Sequence, residues 1–334
     1  MIRIYDNTLT QLGVINNYTV FQFKRELRNK GQFTLKIAKN KTNTEYLQVG
    51  NIIAKDAETS GIIVDRVVKQ TKDGQMLEIK GTSLLGILNY RITRTYTNTG
   101  ATETIAKDIV DTNLINATDT DRNVSILSIA TDALNGTSQN FDSNNEPLLK
   151  ALEKLLSVDN YGHKITLNGT ELTYDVIVPV DRTDSVQFSN KIFNLDEATR
   201  TQSSSNYKTF VYFEGTTITG TYGTDTGLSR IEVFVKDSST DNTADRSKQE
   251  LNGRYYKTDA IDGKIRIVGN PFEYKTDYDL GDYVTVIFDN EVFEVQITEV
   301  TETYDNNGFR LDLTFGTPRR DFADMITDIR ESEK

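Results

Sequence analysis

The sequence predicts a mainly β chain, α+β overall, in which two related small β-barrel domains flank an inserted α+β domain. Three observations point there. Period-two alternation of apolar and polar residues dominates both ends. The middle carries helical periodicity instead. A late stretch, ITEVTETYDNNGFRLDLTFG, repeats the alternation–turn–alternation pattern of an early one, VDRVVKQTKDGQMLEIKG. A chain of 334 residues is long enough for two or three domains with separate cores.

The first barrel is placed at residues 1–82. In GQFTLKIAKN, Phe33, Leu35 and Ile37 alternate with polar residues, as in a strand buried on one face. YTVFQFKREL alternates too, and Asn29-Lys30-Gly31 turns the chain between the two. GIIVDRVVKQ and QMLEIKG flank Lys72-Asp73-Gly74 and read as a hairpin. The inserted α+β domain is placed at 83–204. ATETIAKDIVDTNLI sets Ile105, Ile109 and Val110 at helical spacing. In EPLLKALEKLLSVD, Pro147 suits a first turn, and Leu148, Leu152, Leu155 and Leu156 form one apolar stripe. HKITLNGTELTYDVIV reads as a hairpin folded at Asn168-Gly169.

The second barrel is placed at 205–318, with TFVYFEG, SRIEVFVKD, GKIRIVG and DYVTVIFDNEVFEVQITEV as strands. The polar DSSTDNTADRSKQEL is an insertion running into a helix. Residues 319–334 close the chain as an amphipathic helix with Phe322, Met325, Ile326 and Ile329 on one face.

Aligned against each other, the two β parts agree in the order of their features. Val49-Gly50-Asn51-Ile52-Ile53 answers Leu280-Gly281-Asp282-Tyr283-Val284. Gly74 answers Gly308, Leu77 and Ile79 answer Leu311 and Leu313, and Gly81 answers Gly316. Ile63, Asp65 and Val67 fall loosely opposite Val295, Ile297 and Glu299. A chain with two equivalent barrels gives a cyclic trimer six barrels, matching a threefold to a sixfold object.

Composition narrows the function. Net charge is −11, from 38 Lys and Arg against 49 Asp and Glu, with no basic run, so a phosphate-binding groove and specific nucleic-acid recognition are disfavoured. The chain has no cysteine, which removes disulfides, thiolate metal sites and cysteine nucleophiles. No stretch has the length of a membrane span or the pattern of a signal peptide, so synthesis in the bacterial cytoplasm is expected.

Three segments carry a family resemblance: IKGTSLLGILNYRIT, PVDRTDSVQFSNKIFNLDEATRTQSSSNYKTFVYFEG, and LGDYVTVIFDNEVFEVQITEV with the later LTFGTP. They resemble the tail hub (tail-tip, baseplate-hub) proteins of siphophages and prophages, which are similar to the N-terminal hub module of tail-associated lysins. The resemblance implies a virion protein without catalytic residues or cofactor. It would be a homotrimer whose paired barrels form a pseudo-hexameric ring under the tail tube. Its partners would be a distal tail protein and tail-tube or tape-measure proteins, then a downstream fibre, spike or lytic domain. The C-terminal helix is where any such extension would begin.

No residue set qualifies as a catalytic, cofactor or metal site. His163, the single histidine, is the base any Ser-His-Asp triad would need, yet no Gly-x-Ser-x-Gly turn exists, and an ordinary surface or strand-end histidine is the expectation. Asp277, Asp279 and Asp282 are spaced for Ca²⁺ but read better as acidic turn residues, as do Asp119 and Asp121. The acids of DSSTDNTAD lack an EF-hand's glycine and distal glutamate. Gly81 and Gly86 have phosphate-loop spacing without the following Lys-Ser/Thr. The alternative reading is a carbohydrate-binding or glycan-hydrolysing module, built on a carboxylate pair and Tyr or Phe platforms in the absence of tryptophan.

Overall fold

The computed structural model describes residues 1–72, 74–237 and 240–317. The helix expected at 319–334 lies outside the described residues. Seven strands build the first barrel: β1 (Ile2–Tyr5), β2 (Gln11–Ile15), β3 (Val20–Glu26), β4 (Gln32–Ala38), β5 (Ile52–Ala54), β6 (Ser60–Thr71) and β7 (Gly74–Ser83). They run in the order β3-β4-β7-β6-β5-β1-β2. Alternation sends Phe21, Phe23, Phe33, Leu35, Leu77 and Ile79 into one apolar core.

The middle follows with β8 (Tyr96–Ala101), α1 (Thr102–Val110), β9 (Leu127–Ile129), β10 (Ser138–Ser143), α2 (Leu148–Ser157), β11 (Gly162–Asn168) and β12 (Glu171–Ile177). β8 pairs with β10, and β11, β12 and β9 form a three-stranded sheet. All four leucines of the predicted stripe on α2 are fully buried. Pro147 immediately precedes α2, a position where its missing N–H leaves no helical bond unmade. The β11–β12 hairpin pairs Asn168 with Glu171, so its turn residues are Gly169-Thr170, one position later than expected.

The last part contains β13 (Gln187–Ser189), β14 (Leu195–Ser203), β15 (Phe210–Glu214), β16 (Thr219–Tyr222), β17 (Glu232–Lys236), α3 (Thr243–Gly253), β18 (Thr258–Ile265), β19 (Tyr283–Phe288), β20 (Glu291–Asp305) and β21 (Gly308–Thr317). Here the strand assignment differs from the sequence expectation. β13 and β14, expected in the middle domain, pair with β19 and β18 of the second barrel. TFVYFEG and SRIEVFVKD, expected in that barrel, form β15 and β17 of a separate sheet ordered β16-β15-β17. Their inward residues Val211, Phe213 and Val235 make a small core of their own, packed by Leu251 from α3. Alternation reveals a half-buried strand but not which core it faces.

The second barrel reads β14-β18-β21-β20-β19-β13. The first reads β3-β4-β7-β6-β5-β1 over the corresponding positions. The order is the same, though β13 joins β19 in parallel and β1 joins β5 antiparallel. The local frames agree as well. The Gly50 amide donates to the Ile63 carbonyl at 2.9 Å, and the Ile63 amide donates back to Asn51 at 2.9 Å. In the second barrel Gly281 donates to Ile297 at 2.8 Å, and Ile297 donates to Asp282 at 2.9 Å. Both glycines hold a positive φ, 90° and 99°, which strongly favours the residue without a Cβ. The β6–β7 ladder slips between Ile63 and Asp65, and the β20–β21 ladder between Ile297 and Glu299.

These bulges correct the sequence alignment. Ile63 answers Ile297, two residues later than the spacing placed it, and Gly81 answers Phe315, not Gly316. Gly81 lies opposite Phe33, whereas Phe315 lies opposite Ile261. The large ring thus comes from opposite strands in the two barrels, which hides the repeat from residue-by-residue comparison.

Candidate assembly site at the barrel junction

The two barrels are joined edge to edge. Over Glu299–Asp305, β20 pairs antiparallel with β3, from Glu299 opposite Glu26 to Asp305 opposite Val20. One sheet therefore runs through both barrels. Lys24 reaches across this seam to Glu299 at 2.9 Å, and Gln22 Nε2 donates to Thr303 Oγ1 at 3.3 Å.

Arg25 occupies the next inward position after Phe21 and Phe23, where an apolar residue would continue the pattern. It is buried instead among acceptors from three segments: Glu58 of the first barrel, and Asp279 and Tyr274 of the second. Glu302, opposite Phe23 on β20, is buried as well. Its carboxylate accepts from Tyr274 Oη at 3.0 Å and Tyr304 Oη at 2.6 Å, and pairs with Lys275 at 3.2 Å. Lys164 of β11 reaches Glu58 at 2.7 Å, tying the middle domain into the same network. Burial opposes the charge on Arg25, but Tyr274, Asp279 and Glu58 together hold its pKa well above the ordinary arginine value. The arrangement fixes the relative setting of the barrels. A charged residue at an inward strand position was the readable signal for Arg25 and Glu302, and sequence reasoning passed over it.

The acids weighed as metal ligands have other partners. Asp279 binds Arg25. Asp282 Oδ2 accepts from Arg182 Nε at 2.7 Å and from the Asp279 amide at 3.0 Å. Asp277 Oδ2 accepts from the Glu273 amide at 2.7 Å, and Asp119 from the Asp121 amide at 3.3 Å. In DSSTDNTAD, Asp241 accepts from the Thr217 amide, and Asn242 caps α3. Gly86 lies in a 3₁₀ turn, Leu84–Tyr90, against the Thr82 side chain, and Gly81 lies inside β7. Among the described residues no group of three His, Asp or Glu is placed to hold a metal ion.

His163 stands at the start of β11, as the strand-end alternative had it, but it is fully buried and not on the surface. Its Nε2 lies 2.8 Å from the Arg28 carbonyl, which only accepts, so Nε2 carries the proton and Nδ1 accepts from Tyr174 Oη at 3.3 Å. Desolvation lowers its pKa to about 4. The unfolded chain, near 6.5, binds the extra proton first. This contribution to stability is therefore complete above pH 6.5 and is lost as pH falls through about 4. The span is worth about 3 kcal/mol. Urea titrations of the wild type and His163→Gln should diverge by that amount between pH 6.5 and 4. Parallel curves would refute the assignment.

A family model for the Siphovirus ReqiPepy6 Gp37-like protein matches residues 1–317. The chain belongs to that family. No curated protein sequence matches it. The Gp37-like chain is similar in fold to prophage tail protein gp18 from Listeria monocytogenes EGD-e, at 15% identity and TM-score 0.54, over 99% of this chain and 98% of the other. A tail protein from Neisseria meningitidis MC58 gives 12% and 0.56, over 95% and 96%. The 43 kDa tail protein of prophage MuSo2 from Shewanella oneidensis gives 14% and 0.56, over 95% and 98%. The Gp37-like chain thus has the fold of phage and prophage tail proteins, as the sequence resemblance implied. No helix among its described residues is long and apolar enough to cross a membrane.

Proposed function

We propose that this Gp37-like chain is a structural hub of a phage or prophage tail tip and not an enzyme. Three copies close into a ring of six barrels that joins the tail tube to distal parts. A distal tail protein and tail-tube or tape-measure proteins lie on one side, and a fibre, spike or lytic domain on the other. The observation that carries this reading is the pair of barrels with one strand order and one hydrogen-bonded frame, fused through β3 and β20. Such a chain converts threefold symmetry into near-sixfold symmetry. Domain roles follow: the barrels form the ring, and the two inserted parts, around residues 84–178 and 205–256, pack outside it. Net charge of −11 favours an acidic lumen that repels DNA phosphates.

The test is native mass spectrometry with electron-microscopic class averages of the full chain over a rising concentration series. A three-copy species with six lobes is expected. Monomers at every concentration, or rings of another copy number, would refute the reading. A lumen lined mostly by Lys and Arg would refute its electrostatic part.

A further inference from the structure

The internal repeat specifies a second seam. β20 has two halves. Glu291–Gln296 pairs with β19, and beyond the bulge at Thr298 the edge vacated by β19 is taken by β3. β6 has the same two halves, since Ser60–Ile62 pairs with β5 and a bulge follows at Val64. Beyond it, Asp65–Thr71 pairs with β7 on one edge and, among the described residues, has no strand on the other. Burial registers the difference. Val67 and Val68 are 42% and 40% exposed, whereas Glu302, the counterpart of Val68, is 1% exposed.

The complementary edge is also present. β3 is the outer strand of the first barrel, bonded to β4 on one side and to β20 on the other. Its counterpart β14 bonds only to β18 among the described residues and ends their sheet. Phe23 lies opposite Phe33 as Arg200 lies opposite Ile261, which equates Phe23 with Arg200 and Lys24 with Thr201.

We infer that β14 of one chain pairs antiparallel with the free half of β6 on a second copy, in the register that β3 and β20 adopt within the chain. Lys24 lies opposite Thr301 at the internal seam. Val67 answers Thr301, so Thr201 lies opposite the neighbour's Val67 and Arg200 opposite its Val68. Unpaired edges invite this kind of addition.

Charge supports it and gives it a direction. At the internal seam, β20 carries three acids over Glu299–Asp305, and β3 carries two bases and one acid. Between chains the basic strand is β6. Asp65–Thr71 carries two bases and one acid, and Glu197–Ser203, the stretch that answers Val20–Glu26, carries one acid and one base, with Asp196 just before it. Pairing β6 with β6 sets two net-basic strands together, which disfavours that twofold dimer. Pairing β14 with β6 is head to tail, the kind of contact that closes rings.

The inference rests on the ring reading above, and one experiment separates the two. The chain has no cysteine, so introduced thiols are the only ones present. The full chain carrying Val67→Cys and Thr201→Cys is oxidised across the concentration series, and its mass is recorded with and without reductant. Six strands lie between β14 and β6 in the continuous sheet, and an internal bridge would leave the mass at one chain. The expected result is a ladder that stops at three covalently joined chains. Val67→Cys with Gln202→Cys should stay uncoupled, because a one-residue slip turns the side chain to the opposite face. Three-copy species without the Val67–Thr201 bridge, or equal bridging in the slipped pair, would overturn the register while leaving the hub reading intact. Absence of any three-copy species would overturn both.

Discussion

Replacing Arg25 by methionine should cost the protein about 3–5 kcal/mol, the usual penalty for removing one member of a buried ionic group. Glu58 and Asp279, only partly exposed, would lose the buried cation between them, and Tyr274 would keep only its bond to Glu302. Lys275 and Lys164 remain nearby, but they bind Glu302 and Glu58 from more exposed positions. Urea unfolding gives the loss directly. Adding Glu58→Gln to Arg25→Met should recover part of it, because the remaining uncompensated charge falls. A loss below about 1 kcal/mol, typical of an exposed ion pair, would show that water reaches the junction.

The second large effect is expected where the two inserted parts meet. α2 and α3 pack together around buried charge. Lys154 Nζ lies 2.8 Å from Glu146 and 3.0 Å from Glu250, and Arg246 lies 3.2 Å from Glu146 and 2.7 Å from Asp237. Thr240 Oγ1 donates to Asp142 Oδ2 at 2.6 Å beside them. Lys154→Met should cost about 3–5 kcal/mol by removing a buried cation shared by two carboxylates, leaving them to Arg246 and Arg254 alone. The same network sets an acid limit. Burial works to raise the Glu250 pKa, but Lys154, Arg246 and Arg254 outweigh it and hold it at about 2. Glu146 is likewise pulled far below the carboxylate range by Lys154 and Arg246, against burial. A depressed carboxylate contributes its full stability above the unfolded value near 4.3, and the contribution is lost as pH falls through about 2. Limited proteolysis of residues 205–256 should therefore stay slow at pH 5 and accelerate toward pH 2. Lys154→Met should bring that acceleration to higher pH. Equal cleavage of wild type and variant at every pH would refute the role given to the network.

What the sequence disclosed depended on period. Alternation in YTVFQFKREL and GQFTLKIAKN gave the strands of the first barrel, and the leucines of α2 gave a helix, because each pattern reports local burial. The hairpin glycines Gly74 and Gly308, with Leu77 and Ile79 against Leu311 and Leu313, disclosed the repeat. Partnership between distant strands was not legible. β14 and β15 carry similar alternation, and only the pairing of Thr199 with Asp262 and of Val211 with Val233 separates barrel from insertion. The bulges at Val64 and Thr298 shift the frame without leaving a residue signature, so the alignment slipped there. His163 was misjudged because a strand-end position does not reveal the domain packed over it. Arg25 and Glu302 were readable by parity, as charges where the alternation called for apolar residues, but were passed over.

The seam between β3 and β20 also orders events during synthesis. Gln22 meets Thr303, 281 residues further along the chain, so β3 leaves the ribosome long before its partner exists. Until then the nascent N-terminal barrel shows an unpaired edge that invites association with its neighbours on the same message, and contacts this distant form slowly. Completing the last hairpin covers that edge from within. Translation as far as β20 thereby decides whether that edge is closed by the chain's own strand or left open to another.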